Sequence, residues 1–113
     1  MDQSIKWTAV GTVEDIPRQG SRCITVGATT VAVFRTADDR IFALEDKCPH
    51  RNGPLSQGIV HGNCVTCPLH NWVISLETGL AQGADEGQTA SYPVRLEGQT
   101  ILIPLGLIPP GLT

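Results

Sequence analysis

The stretch CPHRNGPLSQGIVHGNCVTCPLHNW, residues 48–72, decides how the chain reads. It opens with Cys48-Pro49-His50-Arg51-Asn52-Gly53-Pro54-Leu55 and closes with Cys67-Pro68-Leu69-His70-Asn71-Trp72. Each segment supplies one cysteine and one histidine, with one residue between them in the first pair and two in the second. Thiolate and imidazole are soft or borderline metal ligands, so the two segments together offer four. Asn52, Gly53 and Pro54 suit a sharp loop in the first segment, as Asn71 does in the second, so strands on either side can set the two loops face to face.

Zinc accepts two thiolates and two imidazoles, but its common spacing puts Cys with Cys and His with His. A mixed pair on each loop suits a binuclear cluster better. In a Rieske [2Fe–2S] centre two Cys hold one iron and two His the other, which assigns Cys48 and Cys67 to one iron and His50 and His70 to the second. Pro49 and Pro68, after the two cysteines, stiffen both loops, as a site with little reorganisation on electron transfer requires.

The rest of the chain reads as many short strands. It has 113 residues with 12 Gly and 8 Pro, and no long amphipathic pattern, internal repeat or linker divides it, so a single all-β domain over residues 1–113 is expected. Thr29–Thr36 and Ile41–Leu44 flank the polar quartet 37–40 as a hairpin, and Trp7–Gly11 and Arg22–Val26 are strand candidates upstream. Downstream, Ile59-Val60 and Cys64–Thr66 flank a turn, and Trp72–Leu76 runs into another. Tyr92–Leu96 and Thr100–Pro104 make a last pair.

A net charge of −3 with 17% charged residues gives no basic footprint for nucleic acid or an anionic membrane. The first six residues are not a charged segment followed by an apolar run, and the stretch from Ile101 to Leu112 is interrupted by Pro104, Pro109 and Pro110, so neither secretion nor membrane spanning is expected. The expected location is the reducing cytoplasm, where four cysteines favour metal ligation or thiols over disulfides. Cys23 and Cys64 read as packed thiols, His61 as an exposed hairpin tip, and Trp72 as a packing wedge.

With the C-x-H and C-x-x-H pairs separated by sixteen residues, the chain resembles a Rieske-type iron–sulfur domain. It is most similar to the small subunit of assimilatory NAD(P)H-dependent nitrite reductase, at Pro54-Leu55-Ser56-Gln57-Gly58, at Cys67–Gly79 (CPLHNWVISLETG) and at Gly83-Ala84-Asp85-Glu86-Gly87. The resemblance implies two stacked antiparallel sheets, a β-sandwich, with a small cluster-binding subdomain at about residues 46–79 and a covering loop at 83–87. It implies Cys48, His50, Cys67 and His70 as cluster ligands, with His50 and His70 outward as the electron exit. It further implies a large-subunit partner carrying FAD, a [4Fe–4S] cluster and sirohaem, which reduces nitrite to ammonium in nitrate assimilation. The chain shows no catalytic centre beyond the cluster, and reduction of nitrite takes six electrons, so the chemistry falls to the partner. Two other readings fit the residues: a stand-alone Rieske ferredoxin for a ring-hydroxylating dioxygenase, and a non-redox structural subunit. Against the former, Ile74 and Ser75 stand where ring-hydroxylase domains often have Phe and Asp.

Respiratory Rieske proteins carry an extra cysteine in each loop and hydroxyl donors to the cluster. Here Gly53 and Leu69 occupy the disulfide positions, and Trp72 and Ile74 the donor positions. Fewer hydrogen bonds leave the reduced, more negative cluster less stabilised, so the potential is expected in the lower part of the Rieske range of about −150 to +300 mV. Protein-film voltammetry measures it directly; a potential near the top of that range would contradict the reading of these positions.

Overall fold

The structure is a computed structural model and describes residues 7–26, 28–49, 53–68, 71–83 and 87–104. Among them ten strands run in chain order: β1 (Trp7–Thr12), β2 (Gly20–Val26), β3 (Thr29–Arg35), β4 (Ile41–Glu45), β5 (Ile59–His61), β6 (Cys64–Thr66), β7 (Val73–Ser75), β8 (Ser91–Tyr92), β9 (Arg95–Glu97) and β10 (Thr100–Pro104). They form three antiparallel sheets in the orders β1-β10-β9, β2-β3-β4-β8 and β5-β6-β7. The all-β expectation is met. No helix among the described residues is long and apolar enough to cross a membrane.

Side chains alternate across a strand, and β3 is apolar at every position from Val31 to Phe34, so both of its faces must be covered. They are. Val31 and Val33 pack with Ile41, Ala43, Ile101 and Ile103 in one core, between the four-stranded sheet and the β1-β10-β9 sheet. Ala32, Phe34 and Leu44 point the other way, into a second core completed by Val60, Val65 and Ile74 of the small sheet and by Cys48, Leu55, Cys67 and Leu76. Phe34 is fully buried, and truncating a core Phe to Ala costs about 3–5 kcal/mol.

The hairpin between β3 and β4 forms where the sequence places it. Asp39 takes a left-handed φ of 68°, and Thr36 Oγ1 accepts from the Arg40 amide at 3.0 Å. Beyond the turn, the Arg40 guanidinium donates to Asn63 Oδ1, which joins this hairpin to the β5–β6 turn.

Two features depart from the sequence reading. Val13–Asp15 forms a 3-10 turn, too short to leave a periodic signal. It is held by the buried Arg35 side chain, which donates to the carbonyls of Val13 at 3.1 Å and Ile16 at 2.7 Å. The expected strand Tyr92–Leu96 is instead split: Tyr92 pairs with Ala43 in the four-stranded sheet, whereas Arg95 and Leu96 pair with Leu102 and Ile101 in another. Pro93 has no N–H to continue a ladder, so the chain changes sheets there.

Gly79 marks another close approach. With φ at +78°, its N–H reaches the Ser75 carbonyl and its carbonyl accepts from Thr89, and a Cβ there would stand 2.1 Å from the Thr89 oxygen. No other residue type fits without moving backbone.

Asp39 is the acidic anchor of the Arg35 region. Hydrogen bonds from Arg18 and then Arg35 hold its carboxyl down at about 2, against an ordinary value of 3.8. A folded-state value below the unfolded one adds stability that is full above 3.8 and is lost as the pH falls through about 2. The stability gap between wild type and Asp39→Asn should therefore be widest at neutral pH and close on acidification. Denaturant melts at neutral pH, pH 3 and pH 2 check it, and a gap that stays constant would rule this assignment out.

Candidate metal centre

Cys48 follows β4 by three residues and Cys67 directly follows β6. Both are fully buried and belong to the same core, among Phe34, Leu44, Leu55, Ile74 and Leu76. Each opens a loop closed in the same way. The Cys48 N–H donates to the Gly53 carbonyl at 2.8 Å, and the Cys67 N–H donates to the Trp72 carbonyl at 2.7 Å. In both, the cysteine amide closes on the residue five positions ahead, and in sequence each span includes one of the two histidines. His50 and His70 themselves, with Arg51, Asn52 and Leu69, lie outside the described residues.

The two closures arise differently. The second continues the β6–β7 ladder: Thr66 pairs with Val73, and the Cys67–Trp72 bond is the next rung outward. Asn71 makes the reversal with a φ of 57°, a left-handed conformation that Asn tolerates better than most residues. The first loop leaves β4 but returns into a 3-10 turn, Leu55–Gln57, with the fully buried Leu55 as its plug.

Of the described ends of the 83–87 segment, Gly87 bears on both loops. A Cβ on Gly87 would lie 3.0 Å from Pro49 Cβ and 3.5 Å from Trp72 Cζ3, so this glycine touches the first loop and the second at once. Its carbonyl accepts from the Ala81 amide at 2.9 Å. Ala84, Asp85 and Glu86, and with them the expected acidic rim, lie outside the described residues. Trp72 is half-buried and packs on the core that holds both cysteines, as a wedge should.

The donor chemistry of the described half suits a cluster. A thiolate buried in an apolar core needs a compensating charge, and two such sulfurs reached from two loops suit a cationic metal centre.

Other residues singled out in the sequence sit apart from this core. Cys23 was expected to be packed but is exposed on β2, because its edge position leaves one side of the sheet open; its Sγ lies 3.4 Å from Asp46 Oδ2. Desolvation of the sulfur raises its pKa, a hydrogen bond with Ser56 works against this, and the Asp46 carboxylate raises it further; the net shift is upward, so the thiol donates to that carboxylate. Cys64 is partly buried, its pKa raised by desolvation and by Glu77. His61 is exposed as expected, with Nε2 2.7 Å from Thr66 Oγ1. Lys47 is exposed and pairs with Glu45 at 3.7 Å.

Sequence reasoning missed Asp46 and Ser56. The Ser56 N–H donates to Asp46 Oδ1 at 2.7 Å and its hydroxyl to Oδ2 at 2.8 Å. An acid two residues before the first cysteine and a serine ten residues on were the available signal.

A family model for the Rieske-like [2Fe-2S] domain matches residues 6–104. The ferredoxin subunit of anthranilate 1,2-dioxygenase from Burkholderia cepacia is 33% identical over 96 residues, covering 83% of this chain and 88% of that protein. The ferredoxin component of the naphthalene 1,2-dioxygenase system from Pseudomonas aeruginosa is 31% identical over 101 residues, or 88% and 96% of the two chains. Among solved structures, a proposed NADH-dependent nitrite reductase small subunit from Mycobacterium tuberculosis has the same fold, with a TM-score of 0.77 at 21% identity over 87% of this chain and 93% of that one. With two buried cysteines on matching loops and this similarity along nearly its whole length, the chain belongs to the Rieske-like [2Fe–2S] family and carries the cofactor of that family.

Proposed function

We propose that residues 1–113 form a single domain whose cluster-binding part spans about 46–79, with Cys48 and Cys67 on one iron and His50 and His70 on the other. The observation that carries this is the pair of buried cysteines on loops with the same closure, each loop bearing one histidine in sequence. When bound, such a cluster carries one electron at a time. The chain's own residues set its environment: Leu55, Ile74 and Leu76 exclude water from the sulfur side, while Pro49, Trp72 and Gly87 bring the loops and the covering segment together.

The partner we propose is the large subunit of a cytoplasmic NAD(P)H-dependent nitrite reductase, with FAD, a [4Fe–4S] cluster and sirohaem. The support is the likeness of Pro54–Gly58, Cys67–Gly79 and Gly83–Gly87 to that small subunit. The departures from ring-hydroxylase domains fall on internal positions: Ile74 is fully buried, and Ser75 Oγ accepts from the Glu77 and Thr78 amides. The second reading, a ferredoxin that serves a dioxygenase, is supported by the 31–33% identity to two such ferredoxins over most of their length.

Two experiments decide. In anaerobically purified protein, iron and sulfide in equal amounts with a low-average-g EPR signal after dithionite are expected, and His70→Ala should abolish that signal. A colourless, zinc-filled protein, or an unchanged spectrum in the variant, would overturn the ligand assignment. Purified protein is then added to each partner in turn. Stimulation of NAD(P)H-driven nitrite reduction by the large subunit is the expected result; turnover by a dioxygenase component instead would establish the ferredoxin reading.

A further inference from the structure

The two loops are alike where the cysteine amides close them and unlike beneath. The second stands on paired strands, with Thr66 opposite Val73. The first has a strand on one side only, since β4 ends at Glu45 and the chain returns through the Leu55–Gln57 turn. At the rung where a partner strand is missing, a side chain spans the gap. Asp46 accepts from the Ser56 amide at 2.7 Å and the Ser56 hydroxyl at 2.8 Å, and so closes a ring of residues 46–56 around the inner Cys48–Gly53 bond.

The same carboxylate ties that ring to the four-stranded sheet. The Asp46 amide donates to the Thr30 carbonyl at 2.8 Å, and Cys23 Sγ reaches Oδ2 from β2. Ser21 Oγ donates to the Ser56 carbonyl at 2.6 Å, so the far side of the ring is held to β2 as well. Both Asp46 and Ser56 are half-buried, where hydrogen bonds to a charged acceptor are stronger than those between neutral groups.

We propose that Asp46 is a positioning residue for the metal centre: its carboxylate stands in for the missing strand and fixes the first loop, and with it Cys48, against the sheet. The proposal rests on the reading of Cys48 as a ligand, but its first test does not. In apoprotein, Asp46→Ala should speed hydrogen exchange at the Cys48 amide and leave the Cys67 amide unchanged. Asp46→Asn, whose Oδ1 still accepts from the Ser56 amide, should restore slow exchange at Cys48. Ser56→Ala removes only the hydroxyl bond and should give an intermediate rate, which keeps the test available if Asp46→Ala does not fold. Equal acceleration at both amides, or none at Cys48, would overturn the proposal by showing that Asp46 supports the fold in general or supports nothing.

In the cluster-loaded protein, loss of such an outer partner should speed iron release to a chelator about 10-fold or more in Asp46→Ala. Asp39→Ala, which breaks a carboxylate clamp at the β3–β4 turn, is the control for general destabilisation and should release iron at the wild-type rate. Equal release in the two variants would overturn the proposal. A Cys48→Ser variant that keeps a full, unaltered cluster would instead refute the ligand reading, whatever the amides do.

Discussion

The burial of β3 on both faces is the constraint on which the other elements depend. A strand apolar at four consecutive positions cannot sit at a protein surface, so it needs a layer on each side. The β1-β10-β9 sheet supplies one layer through Ile101 and Ile103, and the small β5-β6-β7 sheet supplies the other through Val60, Val65 and Ile74. The candidate metal centre lies in the second layer. Cys48 and Cys67 share a core with Phe34 and Leu44, so the packing that closes the sandwich also places the sulfurs in a dry environment.

Much of this was legible in the sequence because it rests on short-range signals. Thr29–Thr36 and Ile41–Leu44 flank a polar quartet, and the hairpin is where they put it. The mixed Cys-His pairs carried both the family and the loops. What escaped depends on tertiary partners. Nothing local distinguishes Tyr92–Leu96 as one strand from two half-strands on different sheets, apart from Pro93, whose effect depends on which ladder its neighbours join. Cys23 lies in an apolar-looking strand, and its exposure follows from β2 being the edge of its sheet. Arg35 reads as the polar end of a strand, yet its guanidinium is buried because two carbonyls of the Val13–Ile16 segment need donors there.

Glycine explains part of the segments that carry the finer resemblance. Gly79 ends the second of them, where its backbone meets Thr89 with no room for a side chain, and Gly87 ends the third, against Pro49 and Trp72. Both are demands of packing around the loops, and any chain that folds the loops this way meets them whatever its partner. Resemblance at such positions therefore speaks more strongly for the centre than for the enzyme it serves.

The asymmetry beneath the loops bears on how such a centre tolerates change. A ladder is maintained by backbone groups that every residue but proline supplies, so the closure at Cys67 depends little on the identity of Thr66 or Val73. The closure around Cys48 depends on one carboxylate and one serine.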